Sequence, residues 1–363
     1  MDELTKARKD IDAIDEELAA LFTRRMKAAA NIASFKKEHG LPIFDASRES
    51  EIITEEVQHI EDPELKEFYV SFLHDLMKTS RAYQAKLLEG AKYAYCGVPG
   101  AYAYIAAHRM APTSKLISFP TFEKAYKSVL DGECDGTLLP LENSSAGDVG
   151  QVMDLAFSGE LRLTRMIDLE ISHALLAKPG TKKEDIVEVW SHPQALAQCN
   201  DYLKSLGVAC VEASNTAAAC QLLLSSPRND VAVIASPENA EIYGLEILEK
   251  SINSMANNTT RFGLFSRAMA LPSPQTKDQF SVLVFTVKNE AGSLAKALNI
   301  IGAHGFNMRN VRSRPLRGLI WNYYFYVELE GNINTIDGKE LFEELSTFCD
   351  KLKLLGTYAR EEQ

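Results

Sequence analysis

Three cations fall where apolar side chains belong. Leu4, Ile11, Ile14, Leu18 and Leu21 recur at heptad-like spacing, with Ala7 filling the series, which predicts a long helix with an apolar seam. Arg25 follows Leu21 by four residues and sits on that stripe, Lys36 comes eleven residues later on the same face, and Arg8 lies between Leu4 and Ile11. A lone desolvated charge is very costly, so each cation needs a partner. Intrahelical pairing or snorkelling accounts for one such residue. Three on or beside one seam point to a site for an anion. At about 1.5 Å per residue, Arg25 and Lys36 stand roughly 16 Å apart and can converge through long side chains. Arg8 and Arg25 stand roughly 26 Å apart, more than a small anion spans. If Arg8 serves the same kind of ligand, it does so in another protomer's site, which predicts an intertwined dimer through residues 1–90.

Further polar groups stand at suggestive spacings. After a break at Gly40-Leu-Pro42 comes Asp45-x-x-Arg48-Glu49, and a helix expected from about Pro63 to Glu89 puts Ser80 and Gln84 on one face. Downstream, Pro140-Leu-Glu142-Asn143-Ser144-Ser145-Ala-Gly147, Ser191-His192-Pro193-Gln194 and Asn258-Thr259-Thr260-Arg261-Phe262 each lie near an apolar, strand-like run. Strand ends of open α/β sheets collect ligands, and backbone N–H groups at the following helix starts favour carboxylates. The plain structural alternative is that Ser144, Ser145 and Thr216 are caps and turns. That alternative explains Thr260-Arg261-Phe262 poorly.

The elements that must hold these residues change along the chain. Residues 1–90 contain 32 charged side chains, and only four of the 33 Gly and Pro, so this segment reads as nearly all helix. Next, short apolar runs (Lys92–Cys96, Thr137–Leu139, Val187–Trp190, Val231–Ile234) alternate with helical ones, an α/β pattern. A Pro/Ser/polar linker is expected at 270–277. Beyond it the order strand (Phe280–Val287), helix (Gly292–His304), two strands (near Asn307–Arg312 and Ile320–Glu330), helix (Asp337–Asp350) and strand (Lys353–Tyr358) is βαββαβ, the ferredoxin-like α+β arrangement.

Residues 1–90 resemble the all-helical chorismate mutase domain that heads bifunctional P-proteins. The family's ligand set falls on Arg8, Arg25, Lys36, Asp45, Arg48, Glu49, Ser80 and Gln84, each with the expected residue type. The resemblance implies a Claisen rearrangement of chorismate to prephenate without nucleophile or metal, with the dianion held folded by cations on its carboxylates. Lys36 and Gln84 would stabilise charge on the ether oxygen, while Asp45 and Glu49 would bind the ring hydroxyl, with Glu49 also near the breaking ether.

From about Lys92 to Ala270 the T-R-F, S-H-P-Q and P-L-E-N-S-S-A-G motifs resemble the prephenate dehydratase domain, with its two-lobed fold like periplasmic binding proteins. The implied reaction is loss of CO2 and water to give phenylpyruvate. Thr260 would be essential, donating a hydrogen bond to the departing hydroxyl through a relay with Glu142 or water. Asn143, Ser144, Ser191, His192, Gln194 and Gln198 would line the cleft, and Arg261 would bind a carboxylate. His192 is a second candidate acid, although a His-Pro pair opening a helix also reads as structural. The family's G-P-x-G-[TS]-Y-S motif appears as Gly97-Val-Pro-Gly100-Ala101-Tyr102-Ala103, so Gly100 and Tyr102 carry over and two hydroxyls are replaced by alanine.

Residues from about 277 to 358 resemble the ACT regulatory domain, which in this family binds phenylalanine between protomers. Gly292, Ser293, Leu294, Ser313, Arg314 and Pro315 are the candidate effector residues. Arg312 stands where the family's E-S-R-P motif has Glu, and Asn289 and Asn310 remain as polar loop residues.

Composition bounds the alternatives. The chain has 363 residues and a formal charge of −11, which argues against nucleic-acid partners and anionic membrane surfaces. Residues 1–90 hold 19 acidic and 13 basic side chains, so an anion site there depends on local gathering of cations. No apolar run suits a signal or membrane span. Cysteines 96, 134, 199, 210, 220 and 349 form no C-x-x-C pair or His/Cys cluster, so reduced thiols in a cytoplasmic enzyme are expected, with no cofactor or metal. A mutase fused to a prephenate dehydrogenase would need a G-x-G-x-x-G loop, which the sequence lacks. A mutase fused to an inactive ligand-binding sensor is the other alternative, and Ala101 and Ala103 speak for it. The expected organisation is therefore 1–90 mutase, 91–270 dehydratase and 271–363 ACT, in a homodimer or larger homo-oligomer acting on chorismate and prephenate.

Overall fold

A computed structural model of the protein describes residues 3–254, 258–269, 278–316 and 322–359. The linker expected at 270–277 and the start of the strand expected from Ile320 lie outside them. The chain forms two compact units that meet in sequence at Lys92 and Tyr93.

The first unit holds α1 (Glu3–Glu38), α2 (Ala46–Glu56) and α3 (Pro63–Glu89). Helix α1 has Glu3 in its first turn and Lys36 and Lys37 in its last, complementing the helix dipole. The chain turns past its end through Gly40, at φ +65°. Asp45 caps α2 by accepting from the Arg48 backbone N–H (3.0 Å), and Asp62 caps α3 from the Glu64 N–H (2.9 Å) with Pro63 in the first turn. Met26, Ala29 and Ala33 of α1 are buried, as are Leu73 and Met77 of α3. The N-terminal seam is not: Leu4, Ile11, Ile14, Leu18 and Leu21 are between 47% and 59% exposed.

The second unit begins with β1 (Lys92–Cys96), α4 (Tyr102–Met110), β2 (Lys115–Phe119), α5 (Phe122–Leu130), β3 (Gly136–Asn143), β4 (Gly147–Asp148), α6 (Gly150–Ser158) and β5 (Arg162–Glu170). It continues through β6 (Ala174–Ala177), β7 (Glu188–Ser191), α7 (Pro193–Gln198), α8 (Asn200–Leu206), β8 (Ala209–Glu212), α9 (Thr216–Ser225), β9 (Val231–Ala235), α10 (Glu238–Tyr243), β10 (Glu246–Glu249) and β11 (Thr259–Ser266). One sheet has the order β2-β1-β3-β11-β5, with β4 on β3, and the other the order β10-β6-β9-β7-β8. The chain thus leaves the first lobe after β5, builds the second, and returns as β11 between β3 and β5. The two crossings bond to each other, Ile171 N to Asn258 O (2.7 Å) and Ile252 N to His173 O (3.1 Å). A cleft between two lobes follows from this topology, as in periplasmic binding proteins.

The remaining elements are β12 (Gln279–Thr286), α11 (Ser293–Ala303), β13 (Met308–Pro315), β14 (Tyr323–Glu330), α12 (Ile336–Phe348) and β15 (Lys351–Ala359). Their βαββαβ order builds an antiparallel sheet β13-β14-β12-β15. Its two helices cover one face through Ala297, Ile301, Leu341 and Leu345. The other face, with Phe280, Val282, Tyr324, Tyr326 and Tyr358, shares one core with Ala125, Val152, Leu163 and Phe265 of the first lobe. The approach is close enough that a Cβ on Gly356 of β15 would lie 1.8 Å from the Leu163 carbonyl oxygen.

Candidate active sites

Seven of the eight residues expected in the helical domain line one cavity of about 280 Å³: Arg25, Lys36, Asp45, Arg48, Glu49, Ser80 and Gln84. The eighth, Arg8, lies far up α1. Arg25 donates to Ser80 Oγ across α1 and α3, and burial lowers its pKa, as expected of a desolvated cation awaiting an anion. Lys36 Nζ donates to the Ile43 carbonyl (2.6 Å). Asp45 is at once cap and wall. Arg48 pairs with Glu51 (3.2 Å) at the rim. Glu49 pairs with Arg81, a further wall residue that the sequence reading missed. Its signal was available, since Arg81 adjoins Ser80 on α3. Gln84 is buried, its Oε1 has no partner among the described residues, and its amide N–H group is the one able to donate to a ligand oxygen. The cavity therefore offers cations for carboxylates and two acids for a hydroxyl.

The cleft between the lobes, about 400 Å³, is lined by Ala101, Tyr102, Ala103, Asn143, Asp148, His173, His192, Gln194, Gln198, Asn258 and Thr260, among others. Ala101 and Ala103 thus stand in the wall where the family has hydroxyls. Ala101 is the N-cap of α4 and makes no side-chain cap bond there. Gly100 is required: at φ +83°, a Cβ there would sit 2.0 Å from Asn239 Oδ1.

Asn143 fixes the centre of the cleft. Its Oδ1 accepts the backbone N–H groups of Ser145 (3.0 Å) and Ala146 (2.9 Å), so its Nδ2 must be the donor to Thr260 Oγ1 (2.9 Å) and to Asn258 Oδ1 (2.8 Å). Thr260 is buried and accepts at its oxygen, which leaves its own proton to point at a ligand.

A second network crosses the cleft floor. His173 is 1% exposed, and burial pushes its pKa down. The Tyr102 hydroxyl gives its one proton to the Ser172 carbonyl (2.8 Å), so a neutral His173 ring donates from Nδ1 to the tyrosine oxygen (2.9 Å) and accepts at Nε2 from the Gln198 amide turned to present its N–H (2.8 Å), which links both lobes. His173 was not among the sequence candidates. His192 serves the structural role: its Nδ1 accepts the Gln194 N–H (3.3 Å) and caps α7, while the ring also lines the cleft.

Four expected cleft residues are held elsewhere. Consecutive strand residues face opposite sides, so Arg261 points away from Thr260's side and Glu142 away from Asn143's. Arg261 pairs with Asp168 (2.9 Å) and with Glu328 of β14 (3.2 Å). Burial opposes its charge, but the Asp168 hydrogen bond and the charges of Glu328 and Asp168 outweigh that and push its pKa up. Glu142 pairs with Arg312 of β13, which also holds Asp148. The relay through Glu142 is therefore replaced by an ionic contact with the C-terminal sheet. Ser191 is fully buried and donates to the Ile234 carbonyl (2.6 Å), tying β7 to β9. Ser144 Oγ accepts the Thr259 N–H (2.9 Å), the turn role weighed as the alternative.

In the C-terminal domain Gly292 takes φ +84° as the N-cap of α11, followed by Ser293 and Leu294. Ser313 and Pro315 lie on the exposed side of the edge strand β13, whereas Arg314 faces inward to Asp154 (3.3 Å). Strand β14 separates β13 from β12, which leads into the 292–294 turn. Among the described residues no group of His, Cys, Asp and Glu is placed to hold a metal ion, and no helix is long and apolar enough to cross a membrane.

Three family profiles match in order: chorismate mutase type II over residues 7–85, prephenate dehydratase over 93–270 and the ACT domain over 281–346. The bifunctional chorismate mutase/prephenate dehydratase of Aquifex aeolicus is 31% identical over 99% of this chain and 99% of its own. An arogenate dehydratase/prephenate dehydratase of Arabidopsis thaliana is 34% identical over 74% of this chain and 71% of its own. The structure of the Arthrobacter aurescens prephenate dehydratase in complex with L-Phe superposes with a TM-score of 0.68 at 29% identity, over 74% of this chain and 90% of its own. With both sites assembled in their two units, the chain belongs to the bifunctional chorismate mutase/prephenate dehydratase family and is an enzyme of phenylalanine biosynthesis.

Proposed function

We propose that the two activities divide between the two cavities, with the roles of individual residues set by the hydrogen bonds described above. In the helical domain Arg25 and Arg48 hold the carboxylates of chorismate, Ser80 and Asp45 complete the pocket, and Lys36 and Gln84 stabilise the negative charge that grows on the ether oxygen as the C–O bond breaks. Glu49 binds the ring hydroxyl and Arg8 enters from a second protomer. The product prephenate is the substrate of the second cleft. There the C–CO2 bond breaks, its electrons enter the ring, and the ring hydroxyl leaves as water after taking a proton. The protein's task is to protonate the hydroxyl and leave the departing carboxylate ionised.

Thr260 donates to that hydroxyl. The observation that carries this role is the Asn143 Nδ2 bond to Thr260 Oγ1 (2.9 Å), which leaves the threonine proton free for the ligand. A threonine is a poor acid, so cleft water relays the proton through it, and His192 is the second candidate donor. Gln194 and Gln198 orient the substrate. Phenylalanine binds the ACT domain through Gly292, Ser293, Leu294, Ser313 and Pro315, with Arg314 held away on Asp154, between protomers of a homodimer or larger assembly, in the cytoplasm. Thr260→Ala is expected to lower dehydratase turnover by about a hundredfold or more, with mutase turnover intact, and Lys36→Ala is expected to do the reverse. Purified protein given chorismate and assayed for prephenate and phenylpyruvate checks both. Near-normal phenylpyruvate formation by Thr260→Ala would remove Thr260 from the chemistry.

A further inference from the structure

The bonds around Asn143 leave one polar group at the cleft wall with nothing to bind. Asn143 cannot be turned over, because its Oδ1 takes two backbone N–H groups, from Ser145 and Ala146. Its Nδ2 therefore donates, and Asn258 must present Oδ1 to receive it (2.8 Å). That choice turns Asn258 Nδ2 the other way. Asn258 is 5% exposed, and Nδ2 has no hydrogen-bond partner among the described residues. A buried amide donor without an acceptor is rare in a native protein, and it costs most when nothing ever satisfies it. Asn258 borders both the cleft and the cavity that continues from it along Ser145, Gln194, Gln198 and Ser254. It shares its Asn143 partner with Thr260, so the two groups stand at the same end of the site.

We infer that Asn258 is a substrate-contacting residue of the dehydratase site, whose Nδ2–H2 donates to an oxygen of bound prephenate beside the group served by Thr260. The inference rests on the dehydratase reading of the cleft. Thr260 provides one donor there and Asn258 a second, whose orientation the Asn143 bond fixes before the ligand arrives and which the substrate reaches by displacing the wall that now covers it. Both groups donate, which suits an oxygen acceptor at that end of the site.

Asn258→Asp separates this role from a structural one. The aspartate keeps an oxygen for Asn143 and exchanges the free donor for an acceptor. If Asn258 merely anchors Asn143, Asn258→Asp loses stability as a buried carboxylate but keeps its dehydratase kcat/KM while it is folded, and Asn258→Ala is impaired. If it contacts substrate, Asn258→Asp loses about 10- to 100-fold in dehydratase kcat/KM, at least as much as Asn258→Ala, the range for a hydrogen bond to a charged or developing-charge group. Native-like kcat/KM in a folded Asn258→Asp protein overturns the inference. Should the aspartate prevent folding, Asn258→Ala is placed in the inactive Thr260→Ala protein and titrated with prephenate by calorimetry. Tenfold weaker binding than Thr260→Ala alone supports the contact, and equal binding overturns it. Full turnover by Thr260→Ala itself would instead overturn the reading beneath, whatever Asn258 does.

Discussion

Arg25 and Lys36 were conspicuous because a cation on an apolar stripe needs a reason, and both line the mutase cavity. Thr260 stood out in its motif. His173 offered no such contrast, since a histidine between Ser172 and Ala174 reads as one more polar residue at a strand start. Only the fold brings Tyr102 and Gln198, far away in sequence, onto its two nitrogens. Its titration is open to test. Burial holds its folded-state pKa below the ordinary 6.5. As pH falls through that value the unfolded chain takes up a proton that the folded chain refuses, so the unfolded state binds more protons and stability drops. Denaturant unfolding of the native protein should therefore show stability falling from pH 7 to pH 5.5, and His173→Asn should lose that part of the slope. An unchanged slope in the variant would show that His173 takes up its proton as readily in the fold as in the unfolded chain, against the effect of burial.

Helices and strands were legible in different measure. The three helices of the first unit follow from periodicity, caps and the Gly40 break, and α3 spans the expected Pro63–Glu89. The βαββαβ order also emerged from apolar runs and turns. The facing of strand residues did not, because a motif names neighbours that a strand must send to opposite sides. Thr260 and Arg261 share a signature, yet one lines the cleft and the other pairs with Glu328 across the interface. The same parity puts Glu142 under Arg312, a contact that no reading of β3 or β13 alone would show. Arg312 holds two carboxylates, Glu142 and Asp148, that bracket the turn carrying Asn143. Removing only the cation leaves two part-exposed acids facing each other across β3 and β4, a like-charge contact that costs more than losing one exposed ion pair. Arg312→Gln is expected to destabilise the second unit by about 1–3 kcal/mol and to lower dehydratase kcat several-fold by loosening that turn, while the mutase rate stays at its native value. Thermal unfolding together with both assays decides it. A native dehydratase rate beside a lowered melting temperature would confine Arg312 to holding the domains together.

At the scale of the whole molecule the first unit poses a question of completion. Its cavity holds Arg25, Lys36 and their neighbours, while Arg8 lies 17 residues before Arg25 on the same rigid helix, roughly 26 Å away. The five apolar residues around Arg8 and beyond it, Leu4 to Leu21, stay about half exposed within a single chain. An apolar helix stripe of that length is a surface that asks for cover. Covering it with the same helix of a second copy would satisfy both facts at once, if the two-fold arrangement carried each Arg8 to the other protomer's cavity. The residues therefore predict complementation. Arg8→Ala and Lys36→Ala proteins should each lack mutase activity. Unfolded together and refolded as a mixture, about half of the dimers become mixed, and each mixed dimer contains one cavity with native Lys36 and the partner's native Arg8. About a quarter of the native mutase activity should return, while the dehydratase rate of the mixture matches that of either parent. If mixing restores nothing and sedimentation shows that mixed dimers have formed, Arg8 does not act across the interface.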